Sequence, residues 1–134
     1  MTLVDTNVLI DIFDRDARWS THSINALAMR ARLGPIAIND VIYAELAAGF
    51  SSRDALDREV GAIGLSVERL SGEASFLAGQ TFRAYRAKGG ARSNALADFF
   101  IGAQASAEGW PILTRDAGRY RTYFPEVVVV GVDK

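Results

Sequence analysis

Short runs of β-branched and aliphatic residues recur along this chain, and a stretch with helical apolar spacing separates most of them from the next. Thr2-Leu3-Val4-Asp5 reads as a first strand, and a helix can start at Thr6-Asn7. A second helix is expected over 19–33, with Ile24, Leu27, Ala28 and Ala31 on one face. Gly34 stops it, and Pro35-Ile36-Ala37-Ile38 makes a second strand. Asn39-Asp40 caps a helix through Ala48, and Ser51-Ser52 caps another through Ile63. A third strand over 65–70 leads to a long helix that begins at Ser71-Gly72-Glu73 and stops before Gly89-Gly90. Ser93 caps a helix through Ala107. A fourth strand over 110–113, at most two helical turns over 116–120 and a fifth strand over 126–130 complete the pattern. Strands separated by helices form right-handed βαβ units. The expected fold is therefore α/β, a three-layer α/β/α domain around a central, mostly parallel five-stranded sheet.

Composition narrows the functions such a fold can carry. The 134 residues suit a single domain over 1–134, with 49% hydrophobic and 23% charged residues as in ordinary globular proteins. With no cysteine, a disulfide scaffold, a zinc-thiolate site and cysteine catalysis are excluded. One histidine, His22, argues against a His-based triad or a multi-His metal site, and it reads as a surface or satisfied core residue. Fifteen basic against sixteen acidic residues give a net charge of −1, so any nucleic-acid contact requires locally concentrated basic residues. The first residues lack a basic n-region, and the run at 127–130 is far too short to cross a bilayer. A cytoplasmic location with no membrane contact is the expectation.

Four carboxylates stand in apolar company. Asp5 closes the first strand; Glu45 lies in Val-Ile-Tyr-Ala-Glu-Leu-Ala-Ala; Asp98 lies in Ala-Leu-Ala-Asp-Phe-Phe-Ile-Gly-Ala; and Asp116 follows Ile-Leu-Thr-Arg at the end of the fourth strand. Each has a plain reading: Asp5 and Asp116 as helix caps, Glu45 as a solvent-facing residue. Asp98 resists such a reading, because its helix has almost no polar face. Burying an ionised carboxylate is costly unless it is paired or metal-bound, and only Arg115 is an adjacent cation. Asp5 and Asp116 fall at carboxyl ends of strands, where open α/β sheets form ligand crevices. Two carboxylates about 5 Å apart repel by roughly 3 kcal/mol at an effective dielectric near 20. An all-oxygen cluster of this kind points to Mg²⁺ or Mn²⁺ and to phosphate chemistry.

These residues carry a resemblance. Leu-Val-Asp-Thr-Asn-Val-Leu-Ile-Asp at 3–11 resembles the opening motif of PIN domains, most closely of VapC-type toxins. Tyr-Ala-Glu-Leu at 43–46, Ala-Asp-Phe-Phe-Ile-Gly-Ala-Gln-Ala at 97–105 and Leu-Thr-Arg-Asp at 113–116 resemble the later motifs in order. The resemblance covers nearly the whole chain. It implies a metal-dependent endoribonuclease with Asp5, Glu45, Asp98 and Asp116 as its acidic quartet, holding Mg²⁺ or Mn²⁺. Thr6, Asn7 and Thr114 match positions that support the ligands or the attacking water. It further implies hydrolysis of RNA by a metal-activated water, a VapB-like antitoxin partner and a homodimer. Phe99-Phe100 departs from the smaller residues often found after that acid, which reshapes the wall of the site without removing a ligand.

The RNA-binding surface is harder to place. Arg83, Arg86, Lys88 and Arg92, with Phe82 and Tyr85 interleaved, form a stretch free of acids that is suited to phosphates or, equally, to an ordinary solvated face. Arg15 and Arg18 flank a loop after the first helix. The helices at 40–48 and 53–63 offer an apolar groove for an antitoxin helix, although core packing explains many of the same residues. Two other readings stay open. In the first, the acids serve a non-catalytic module that docks a basic partner. An aspartyl-phosphate enzyme is the second, but it wants an acid where Asn7 stands and a suitably placed lysine, for which Lys134 is a poor candidate.

Overall fold

The computed structural model describes residues 1–16, 18–91 and 95–133. Five strands form one sheet: β1 (Thr2–Val4), β2 (Ile36–Asn39), β3 (Ser66–Glu68), β4 (Ile112–Thr114) and β5 (Val129–Gly131). Their order is β3-β2-β1-β4-β5, and every pairing is parallel. Around them lie α1 (Thr6–Phe13), α2 (Ser20–Leu33), α3 (Asp40–Ala47), α4 (Arg53–Ile63), α5 (Gly72–Ala87), α6 (Ala95–Glu108) and α7 (Gly118–Tyr123). Residue after residue in β1, β2 and β4 is buried, as a parallel sheet covered on both faces requires. The fold is a three-layer α/β/α architecture with an entirely parallel sheet.

Local chemistry explains where the elements begin. Asn39, Ser52 and Ser71 each accept a backbone N–H three residues on, from Ile42, Ala55 and Ala74. Gly64 ends α4 with φ +86°, a left-handed conformation that suits glycine. Ser93, the cap expected for α6, lies outside the described residues, as do Ala17, Arg92, Asn94 and Lys134.

The inner face of α2 differs from the sequence expectation. Leu27 is buried, but Ile24 is 46% exposed and Ala28 and Ala31 are exposed as well. Polar residues take the inner positions instead. Ser23 donates to Asp11 at 2.7 Å, and the Arg30 Nε donates to the Thr2 hydroxyl at 3.0 Å. The helix is held to α1 and β1 partly by hydrogen bonds, which apolar periodicity does not register. The last helix also begins later than expected, at Gly118, and Ala117 precedes it without a side-chain cap. Asp116 is therefore not its capping side chain.

The chain leaves β1 towards β2 and β3 on one side and reaches β4 and β5 on the other. The order reverses between β1 and β4, where open α/β sheets form their crevice. Register fixes which residues meet there: Val4 lies opposite Leu113, and the Asp5 N–H donates to the Leu113 carbonyl at 2.9 Å. Asp5 and Thr114 thus emerge side by side at the carboxyl edge.

Candidate active site

A pocket of about 220 Å³ opens at this edge, lined by Asp5, Thr6, Asn7, Ile10, Glu45, Asp98, Asp116 and Tyr120. All four acids singled out in the sequence line it, although 40, 53 and 18 residues separate successive members along the chain. Asp5 caps α1 through Oδ1, which accepts the Thr6 N–H at 2.8 Å. Its Oδ2 accepts the Thr114 hydroxyl at 2.8 Å and the Tyr120 hydroxyl at 2.9 Å. Cap and pocket residue are therefore one and the same side chain, and the two readings of Asp5 are compatible.

Thr114 organises the floor. Its hydroxyl accepts from the Asn7 side-chain amide at 3.2 Å and from the Asp116 N–H at 3.0 Å. Both lone pairs are then in use, so the proton points to Asp5. The Asn7 carbonyl oxygen in turn accepts the Arg115 N–H at 3.1 Å, tying α1 to the loop after β4. Thr6 donates to Glu45 at 2.6 Å and joins α1 to α3. Thr6, Asn7 and Thr114 all contact the acids or the backbone that carries them.

Burial is unequal. Asp5 is 6% exposed and Asp98 is half-buried, whereas Glu45 and Asp116 are exposed, so the apolar sequence around those two does not bury them. Burial pushes the Asp5 carboxyl up to about 6, despite the Thr114 and Tyr120 hydrogen bonds, and the Asp98 charge adds to the rise. Burial also raises Asp98, against the opposing hydrogen bond and charge of Arg119. Tyr120, buried beside these acids, is held far above its ordinary value and remains a donor to Asp5.

The cations are not where the sequence suggested. Arg115, adjacent to Asp116, turns away and grips buried Asp11 through Nε at 2.7 Å and Nη2 at 2.9 Å. Its guanidinium also lies 4.5 Å from the Trp19 ring centroid. Asp11 is 2% exposed, a buried acid that sequence context did not single out. Among the described residues, the cation paired with the quartet is Arg119, whose Nη1 donates to Asp98 Oδ2 at 2.7 Å. Arg119 and Tyr120 both escaped the sequence reading. The run Arg-Tyr-Arg-Thr-Tyr at 119–123, shortly after Asp116, was the available signal.

Of the basic stretch, Arg83, Arg86 and Lys88 are exposed near the end of α5, and none lines the pocket. Arg86 donates to the Gly90 carbonyl at 3.0 Å, and Arg92 lies outside the described residues. Phe82 and Tyr85 are not a surface platform: both pack against Phe99, and Tyr85 also meets Tyr123. His22 is half-buried, its ring 6.3 Å from that of Trp19 and outside the pocket lining. Two further pockets of about 280 and 360 Å³ meet at Phe50, one beside Ile12, Phe13 and Ile63, the other beside Tyr43, Ala47 and Leu56.

Whether these acids suit a divalent cation is a question of chemistry and of position. Their oxygens match a hard ion such as Mg²⁺ or Mn²⁺. Among the described residues, however, no three His, Asp or Glu side chains converge closely enough to hold a metal as they stand. Asp98 is turned to Arg119, and both oxygens of Asp5 are engaged in hydrogen bonds. The donor set fits the ion in its chemistry, and side-chain movement would have to bring the carboxylates together to hold one.

A family model of the PIN domain matches residues 2–125, and the chain belongs to the PIN-domain family. Three solved structures illustrate the likeness. VapBC2 from Rickettsia felis, bound to a DNA fragment from its promoter, superposes with a TM-score of 0.75 at 20% identity, covering 98% of each chain. VapBC-1 from nontypeable Haemophilus influenzae gives a TM-score of 0.74 at 16% identity, over 99% of this chain and 98% of that one. DNA-bound VapBC from Salmonella typhimurium gives 0.71 at 17% identity, over 98% of each. At these identities the likeness establishes the fold. The sequence has no match among curated proteins.

Proposed function

We propose that this chain is a metal-dependent endoribonuclease, the toxin of a toxin–antitoxin pair of the VapC type. The observation that carries the reading is the gathering of Asp5, Glu45, Asp98 and Asp116 in one pocket at the switch point of a PIN-domain sheet. Asp5, Asp98 and Asp116, with Glu45 directly or through water, are the residues to hold Mg²⁺ or Mn²⁺. When bound, such an ion polarises a phosphoryl oxygen and acidifies a water molecule. The chain's own residues orient that chemistry. Thr114 and Tyr120 fix the Asp5 carboxylate, Thr6 fixes Glu45, and Asn7 holds the loop that carries Asp116. A carboxylate of the quartet would help to take the proton from that water.

The toxin reading also draws on the neighbours. The similar structures include VapBC proteins and one described as a toxin–antitoxin complex, so we assign this chain a small antitoxin partner; a homodimeric state and a place in the cytoplasm we propose from the family resemblance. The apolar hollows around Phe50, between α1, α3 and α4, are the surface we assign to the antitoxin helix. No helix among the described residues is long and apolar enough to cross a membrane.

One observation favours the alternative of a docking module: the pocket already accommodates a guanidinium on Asp98. The aspartyl-phosphate reading has less support, since Asn7 serves as a donor and no lysine among the described residues lines the pocket. The test is cleavage of total cellular RNA by the antitoxin-free protein with Mg²⁺ or Mn²⁺, beside EDTA and Asp98→Asn controls. Discrete fragments, lost in both controls while Asp98→Asn remains folded, are expected. Full activity in Asp98→Asn would overturn the assignment, and binding of a basic partner without RNA turnover, even with Mn²⁺ present, would favour the docking module.

A further inference from the structure

Arg119 stands on the first turn of α7, between the pocket and an aromatic cluster. Its guanidinium reaches Asp98 through one nitrogen and lies 5.6 Å from the Tyr85 ring centroid and 6.0 Å from that of Phe99. Both partners are about one-third exposed, at 32% and 34% of their side chains. Ion pairs this accessible contribute little to stability. Nor does α7 need the pair to stay in place: Tyr120 is buried with its hydroxyl on Asp5, and Phe124 is packed tightly against Gly102. The contact is an exchangeable one, on the carboxylate where a metal would have to bind.

We propose that Arg119 is a phosphate-binding arm, resting on Asp98 until a divalent cation takes that carboxylate and then engaging a phosphate of the bound RNA strand. The proposal rests on the metal-dependent nuclease reading above. Arg119 holds Oδ2 of Asp98, and a divalent ion entering on the same carboxylate repels the guanidinium and weakens that hold, which favours its release. The released guanidinium, already 5.6 Å from the Tyr85 ring centroid and 6.0 Å from that of Phe99, keeps these rings as its neighbours at the rim. Acids line the pocket itself, and they repel an incoming phosphodiester. A guanidinium on a phosphate oxygen offsets that repulsion, and its planar fork matches the phosphate oxygens better than an ammonium does.

Opposite effects on the two ligands distinguish this role from a structural one. Mn²⁺ binding would be followed by electron paramagnetic resonance in wild type, Arg119→Gln, Arg119→Lys and Asp98→Asn. Binding of a fluorescent 2′-O-methyl oligoribonucleotide at saturating Mn²⁺ would be followed by anisotropy across a salt series. Arg119→Gln should bind Mn²⁺ about threefold or more tightly than wild type, yet bind the oligonucleotide about tenfold more weakly. Its log–log salt slope should fall by about 0.7, the value of one phosphate contact on a single strand. Arg119→Lys should recover most of the slope. Unchanged Mn²⁺ affinity or an unchanged slope in Arg119→Gln would overturn the proposal. A wild-type protein that binds no Mn²⁺ would bring down the metal reading itself, and this proposal with it. Normal Mn²⁺ binding in wild type beside an unaltered Arg119→Gln would remove Arg119 alone.

Discussion

At the scale of single residues, the pocket depends on how one hydroxyl is aimed. Thr114 has no exposed surface, and its lone pairs and proton are all committed, to Asn7, the Asp116 N–H and Asp5. Valine has nearly the same shape and removes all three bonds, among them the buried one to Asp5. Thr114→Val should therefore lower the unfolding free energy by about 2 kcal/mol, read from urea denaturation, and should reduce RNA cleavage while circular dichroism stays unchanged. An undiminished midpoint would show that these bonds contribute nothing in solution. The resemblance of the motifs at 3–11 and 113–116 to those of PIN domains pointed to Thr114, Thr6 and Asn7. They did not point to Tyr120 or Arg119. A tyrosine hydroxyl on Asp5 and a guanidinium on Asp98 arise from partners 115 and 21 residues away, which no local pattern encodes.

Between elements, the fit of α6 against the chain after α7 is the tightest approach that bears on the site. A Cβ at Gly102 would come within 2.4 Å of the Phe124 ring, and Phe124 is 1% exposed with little room to retreat. Gly102→Ala improves helix propensity but overpacks this contact. Overpacking dominates, and a net loss of about 1–2 kcal/mol is expected, measured as a lowered melting temperature. A stabilised variant would show that Phe124 moves freely. Most strands and helices were legible because caps and β-branched runs are local signals, as at Asn39, Ser52 and Ser71. The inner face of α2 was not, because Ser23 and Arg30 turn inward to serve Asp11 and Thr2 while Ile24, Met29 and Leu33 stay exposed.

Over the whole molecule, the buried Asp5 links folding to pH. Its carboxyl titrates near 6 in the folded protein against an ordinary value of 3.8. A raised acid favours folding while protonated: its contribution is fully present below about 4 and is lost as pH rises through about 6. A shift of this size corresponds to about 3 kcal/mol. In EDTA the protein should therefore lose stability between about pH 4 and pH 6 by this contribution, and Asp5→Asn should flatten the profile there. Parallel profiles for the two proteins would refute the linkage. The sequence alone determined the alternation of strands and helices, the parallel three-layer architecture and the carboxylate-bearing segments, since periodicity, capping and strand-end position act over a few residues. The tertiary structure alone decided which charges meet. It sent Arg115 to Asp11 rather than to Asp116, set Arg119 on Asp98, left Glu45 and Asp116 exposed and put Tyr120 over Asp5. Those choices depend on the packing of α7 against α6 and of α2 against α1, and long-range packing fixes side-chain directions that a linear pattern leaves open.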